Sequence, residues 1–180
     1  MFAFRFGETD NSFMNKVLIL TGPAGAGKNT IAHSLAKIRE KCAVVDIDLV
    51  RWMVLQPHKA PWEGEEGKEQ VRLGVKNGCM LAKNFAEEGY DVVILDVIPD
   101  EIAEIYKNKL EGLNPKIVLL LPSFGEVQKR NSSRPTRLTE GRIKYLYEME
   151  EKLILYDKKI DNTNLSPEEI AEELSKFMDY

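Results

Sequence analysis

Residues 16–21 form a short apolar run that leads directly into Gly22-Pro23-Ala24-Gly25-Ala26-Gly27-Lys28-Asn29-Thr30, and an amphipathic pattern follows over 28–40. A strand, a loop with glycines at its first and sixth positions and a lysine at its seventh, and then a helix leave few folds open. Glycine lets the backbone curl so that consecutive N–H groups point inward, and the helix start adds a favourable potential for negative charge. The spacing therefore predicts a loop that wraps a polyphosphate chain, with Lys28 as the mobile positive charge for the outer phosphates. The expected ligand is a nucleoside triphosphate, ATP foremost, held by Gly22, Ala24, Gly25, Ala26, Gly27, Lys28, Asn29 and Thr30.

Beyond the loop, short apolar runs alternate with longer amphipathic stretches, the pattern of a parallel sheet with crossover helices. Further strands are predicted over 42–47, 92–97, 116–121 and 158–161. Helices are predicted over 28–40, from 49, over 65–88, 100–111, 125–130 and 139–155, and after the capping pair Ser166-Pro167. Right-handed crossovers make this an α/β, doubly wound, three-layer fold with a five-stranded parallel sheet, a short lid, and ligands at the carboxyl ends of the strands. At 180 residues there is room for one core. Residues 16–180 are expected to form a single domain, with 1–15 as a weakly ordered N-terminal extension.

Composition narrows the function classes. A net charge of −4 and a pI near 5.4 disfavour bulk nucleic-acid binding. No apolar run reaches the ~18 residues that span a bilayer, so a cytoplasmic location without membrane contact is expected. The two cysteines, Cys42 and Cys79, lack metal-ligand spacing and read as buried thiols.

Acidic residues stand where the predicted strands end. In Asp46-Ile47-Asp48-Leu49-Val50-Arg51, strand alternation would put both carboxylates on one side, facing the crevice. Asp48 is expected to accept the proton of an attacking hydroxyl and Asp46 to lie on the metal side; a helix cap is the structural alternative for each. Asp96 closes the apolar run Val92-Val93-Ile94-Leu95 and is expected to hold magnesium-bound water or the acceptor. Asn29 occupies the place of the usual magnesium-ligating hydroxyl, and its amide oxygen can ligate a hard cation. The predicted metal set is Asn29, Asp46 and Asp96.

Arg130, Arg134, Arg137 and Arg142 fall in and after a polar loop, and read either as a lid over the triphosphate or as a solvated basic face. Arg130 is placed to stack on adenine and Arg134 to neutralise the transferring phosphoryl group. The acceptor should dock around 52–63, where Trp62 offers an apolar wall and His58 or Glu63 could read a hydroxyl. Trp52, at helical spacing with Leu55, is expected in the core, and His33 at the surface.

With these residues assembled, the chain from Lys16 onward resembles the small P-loop kinases, a group that includes shikimate kinase, gluconate kinase, chloramphenicol phosphotransferase and adenylate kinase. The loop Gly22 to Thr30, the pair Asp46 and Asp48, the strand ending at Asp96 and the arginines 130–137 carry the resemblance. It implies phosphoryl transfer from ATP with Mg2+. Arg134-Pro135 is similar to the lid of shikimate kinases, but Asp96 is followed by Val97-Ile98-Pro99 and not by their glycine-rich acceptor segment. Asp48-Leu49-Val50-Arg51 is similar to adenylate kinases, where Arg51 would bind an acceptor phosphate, yet Asp100 replaces their next arginine. The expectation is a kinase acting on a hydroxyl of a small molecule, as a monomer or homodimer. The alternatives are a nucleoside monophosphate kinase and a nucleotide-binding regulatory module without transferase activity.

Overall fold

The computed structural model describes residues 16–135 and 137–180; the expected N-terminal extension lies outside them. Five parallel strands, β1 (Val17–Thr21), β2 (Cys42–Asp46), β3 (Asp91–Leu95), β4 (Lys116–Leu120) and β5 (Lys158–Ile160), form one sheet in the order β2-β3-β1-β4-β5. The helices are α1 (Lys28–Ile38), α2 (Ile47–Arg51), α3 (Gly64–Glu87), α4 (Asp100–Lys109), α5 (Phe124–Ser132), α6 (Glu140–Glu151) and α7 (Pro167–Asp179). The doubly wound α/β prediction is met. No helix among the described residues is long and apolar enough to cross a membrane.

Alternation along the strands divides the core into two layers. Leu18 and Leu20 of β1 pack with Ile31 and Leu35 of α1 and Ile170, Leu174 and Met178 of α7. Val17 and Ile19 face the other way, onto Val75, Cys79 and Ala82 of α3 and Ala103 and Tyr106 of α4. Each fully buried Leu or Ile contributes roughly 1.5–3 kcal/mol, so both sheet faces are held firmly while the strand ends are left for other work. β1 is the central strand, paired with β3 on one side and β4 on the other. Its carboxyl end is therefore where the chain's crossovers diverge and a crevice opens.

Two expectations change here. β2 stops at Asp46, because the Asp46 carboxylate accepts the Asp48 N–H at 3.0 Å and starts α2. Asp48 thus sits in the first turn of a helix, and strand alternation does not relate it to Asp46. Trp52 is not in the core: α2 ends at Arg51, the helical spacing to Leu55 never forms, and the two side chains are 63% and 82% exposed. Cys79 is buried and Cys42 half-buried, and burial pushes both thiols up to about 11.

The position of α2 depends on the absence of side chains in α3. A Cβ at Gly74 would run into the Arg51 stem, and one at Gly78 into Ile47. These close approaches set α2, and with it Asp48, against the end of the sheet.

Candidate functional site

The loop between β1 and α1 has the conformation its glycines predict. Gly22 has φ 147° and a Cβ there would strike the Leu120 carbonyl of β4; Gly27 has φ 94° and opens α1. The amide of Ala26 donates to the Pro23 carbonyl at 3.0 Å, and the first helical bond runs from Ile31 N–H to the Gly27 carbonyl. Among the described residues no protein acceptor takes the amides of Gly25, Gly27, Lys28 or Asn29. That is a cradle of N–H groups at a helix start, and it fits a phosphate chain. Lys28 lies folded back over the loop, with Nζ donating to the Gly22 carbonyl at 2.5 Å and the Pro23 carbonyl at 3.4 Å.

Groups outside the loop fix its underside. Asn162, buried after β5, donates to the Ala26 carbonyl at 2.7 Å, and Arg130 donates to the same carbonyl at 3.4 Å and to the Asn162 carbonyl at 3.0 Å. The third edge of the Arg130 guanidinium donates from Nε to Glu126 at 2.9 Å. Its edges thus brace the loop, and only its face is left for stacking on a base.

Four carboxylates surround Lys28: Glu150, Asp96, Asp48 and Asp46. Burial lowers the pKa of the ammonium, and these carboxylates act against that, Glu150 most strongly. Asn29 donates its side-chain N–H to the Asp46 Oδ2 at 3.2 Å, so an amide oxygen and a carboxylate stand together beside the phosphate cradle. That donor set fits Mg2+, which takes one or two protein oxygens plus phosphates and water. Asp96 accepts from the Tyr106 hydroxyl at 2.7 Å and the Val97 N–H at 2.8 Å, and burial pushes its carboxyl up to about 6. Among the described residues no three His, Cys, Asp or Glu side chains converge into a metal cage.

Asp48 is exposed and accepts from Arg51 at 3.3 Å. The Arg51 side chain, only 10% exposed, lies between α2 and α3 and also donates to the Lys59 carbonyl at 3.4 Å. Asp100 accepts the N–H groups of Ile154 and Leu155 and so anchors the chain leaving α6.

On the lid side, Arg134 and Arg137 are exposed, and among the described residues their side chains have no hydrogen bond or ion pair. Arg142 lies over the Trp62 ring at 4.1 Å and near that of Tyr145 at 5.1 Å, and partial burial lowers its pKa. Trp62 thus joins the 52–63 region to the helix after the lid. Trp52 stacks on His58 at 4.3 Å, while Glu63 accepts from the Ala60 N–H at 2.5 Å.

Glu150 was not anticipated. It reads as part of the charged run Glu148-Met149-Glu150-Glu151, yet it is 0% exposed and accepts from the Thr21 hydroxyl at 2.7 Å and the Ile98 N–H at 2.9 Å. Burial pushes its carboxyl up to about 7. The available signal was its helical spacing from Ile143 and Tyr147, an acid in line with an apolar stripe. The loop after β5 is expected from the sequence to border the base through its backbone, but the Asn162 side-chain bond to the phosphate loop, like the Tyr106 hydroxyl on Asp96, was unforeseen.

Solved structures share this architecture at low identity. A sugar kinase from Janibacter sp. HTCC2649 superposes with a TM-score of 0.71 at 14% identity, covering 92% of this chain and 95% of its own. The tunicamycin resistance protein of Deinococcus radiodurans gives 0.68 at 15%, covering 91% and 95%. Shikimate kinase from Acinetobacter baumannii, solved with shikimate, gives 0.63 at 16%, covering 92% and 93%. These likenesses establish the P-loop kinase fold. No curated protein sequence matches the chain. The model of the chloramphenicol phosphotransferase-like proteins matches residues 15–179, nearly the whole of the described chain, and the protein belongs to that family.

Proposed function

We propose that the protein transfers the γ-phosphoryl group of ATP to a hydroxyl of a small molecule. Family and fold support a kinase-like phosphotransferase. The observation that carries the finer reading is the loop itself: free amides at a helix start, a lysine folded over them, and carboxylates grouped around that lysine. In this reading the amides of Gly25, Gly27, Lys28 and Asn29 and the Lys28 ammonium bind and orient the phosphates, with Gly22, Ala24, Ala26 and Thr30 shaping the loop. Arg130 borders the base through the face of its guanidinium. Asn29 and Asp46 would hold Mg2+, with Asp96 facing them from the β3 side; the ion supplies charge neutralisation on the phosphate oxygens. Asp48, exposed and steadied by Arg51, accepts the proton as the acceptor oxygen attacks phosphorus and the bridging oxygen leaves with ADP. Arg134 closes from the lid onto the transferring group, and Trp62 forms a wall for the acceptor. Residues 16–180 act as one catalytic unit.

The monophosphate-kinase alternative needs Arg51 to reach an acceptor phosphate. Its guanidinium is instead occupied between α2 and α3 by Asp48 and the Lys59 carbonyl, which favours the neutral hydroxyl acceptor. A panel of hydroxyl compounds that includes chloramphenicol and shikimate, the compounds named for similar proteins, is screened for ADP release. With an acceptor in hand, Asp48→Asn is expected to lower kcat by about 10²–10⁴-fold while nucleotide affinity changes only a few-fold. Normal turnover by that variant removes Asp48 from the base role. Tight ATP binding with no transfer to any acceptor identifies a regulatory module.

A further inference from the structure

Glu150 is the one charged residue in the buried set among the described residues, and its Oε2 has no hydrogen-bond partner. The other oxygen, Oε1, is held from β1 by the Thr21 hydroxyl and from the end of β3 by the Ile98 N–H. Thr21 precedes the first glycine of the phosphate loop, and Ile98 lies two residues after Asp96. Glu150 therefore joins the two strand ends that carry the loop and the Asp96 acid. The charged groups facing it are Lys28 from α1 and Asp96 from the β3 side.

Lys28 rests on the Gly22 and Pro23 carbonyls, and its charge favours the ionised form of Glu150. A polyphosphate in the cradle adds negative charge and draws Lys28 outward to the phosphates. Both changes disfavour a carboxylate on Glu150, whose orphan oxygen has no donor to offset them. We infer that Glu150 is a positioning residue of the phosphate site, whose Oε2 takes up a proton from solvent when polyphosphate enters the loop. The only bond formed is O–H, and the wall behind the loop becomes neutral while Lys28 serves the phosphates. In the free protein the ionised form holds Lys28 charged and ready. That its pKa already stands near 7 means a modest change of field suffices.

The inference rests on the nucleotide-binding reading above, and the test separates the two. Infrared difference spectra are recorded on binding of magnesium and a non-hydrolysable ATP analogue at pH 8, with unlabelled protein and with protein carrying carboxyl-13C glutamate. A protonated-carboxyl band is expected to appear on binding, to shift with labelled glutamate and to vanish in Glu150→Gln. Between pH 7 and 8.5 the analogue's Kd is expected to rise up to ~10-fold per pH unit in the wild type and less steeply in Glu150→Gln. Binding with no such band, or with a band that ignores the glutamate label or survives in Glu150→Gln, overturns the inference alone. Absence of binding by calorimetry overturns the nucleotide reading with it. If Glu150→Gln fails to fold, Thr21→Val decides: loss of the hydroxyl that holds Oε1 is expected to move the labelled band, and a band that does not move overturns the inference.

Discussion

A glutamate ordinarily titrates near 4.5, and burial of Glu150 against the end of the sheet moves it to about 7. The sign of the consequence follows from linkage. Across pH 4.5 to 7 the folded protein keeps a proton that the unfolded chain releases, so Glu150 lowers stability as pH rises through that window and the loss persists above it. Glu150→Gln keeps an acceptor for Thr21 and Ile98 and removes the ionisation. It is expected to stabilise the ligand-free protein by on the order of 2–3 kcal/mol at pH 8 and to have little effect at pH 4.5, as read from urea unfolding at the two pH values. Asp96, pushed up to about 6, works in the same direction. Individual side chains were unevenly legible. Lys28 and Gly22 announce themselves by spacing, whereas Glu150 sits among three other residues of a polar run, where helical spacing alone does not say which face meets the core.

Elements were read well where a period or a breaker marked them and poorly where a cap decided the boundary. The five strands lie within a residue or two of expectation. The exception that matters is α2, because Asp46 belongs to a strand by pattern but acts as the cap of a helix. How close α2 comes to the sheet is set by α3, whose glycines look like liabilities in a 24-residue helix. Gly78→Ala should gain ~1 kcal/mol of helix propensity, but the new Cβ would meet Ile47. Net destabilisation of about 1–3 kcal/mol is expected from overpacking, with a fall in phosphoryl transfer as Asp48 moves. Gly141 in α6 has open space around its Cβ position. There Ala is expected to be neutral or stabilising by ~0.5–1 kcal/mol. Urea midpoints of the two variants side by side check the contrast.

At the scale of the molecule, the phosphate loop and the acids at the strand ends come together because the strands are ordered β2-β3-β1-β4-β5. The closing helix is tied to the opposite end of the sheet by Arg39, which pairs with Asp91 at 2.6 Å and with Asp179 of α7 at 2.9 Å. A ligand that recognises only this assembled crevice stabilises the whole fold. Magnesium-ATP at 100 times its Kd is expected to add about 2.7 kcal/mol, or roughly 5–10 °C in Tm for a domain of this size. Lys28→Met should abolish most of that shift in a thermal scan. The sequence by itself determined the parallel sheet, the loop and its lysine, because apolar period and glycine spacing act within a few residues. Tertiary structure alone decided that Glu150 stands behind the loop, that Asn162 and Arg130 brace it, and that Arg51 is occupied beside Asp48. Thr21 and Glu150 are 129 residues apart in the chain, and no local pattern encodes a hydrogen bond between groups that only the folded chain brings together.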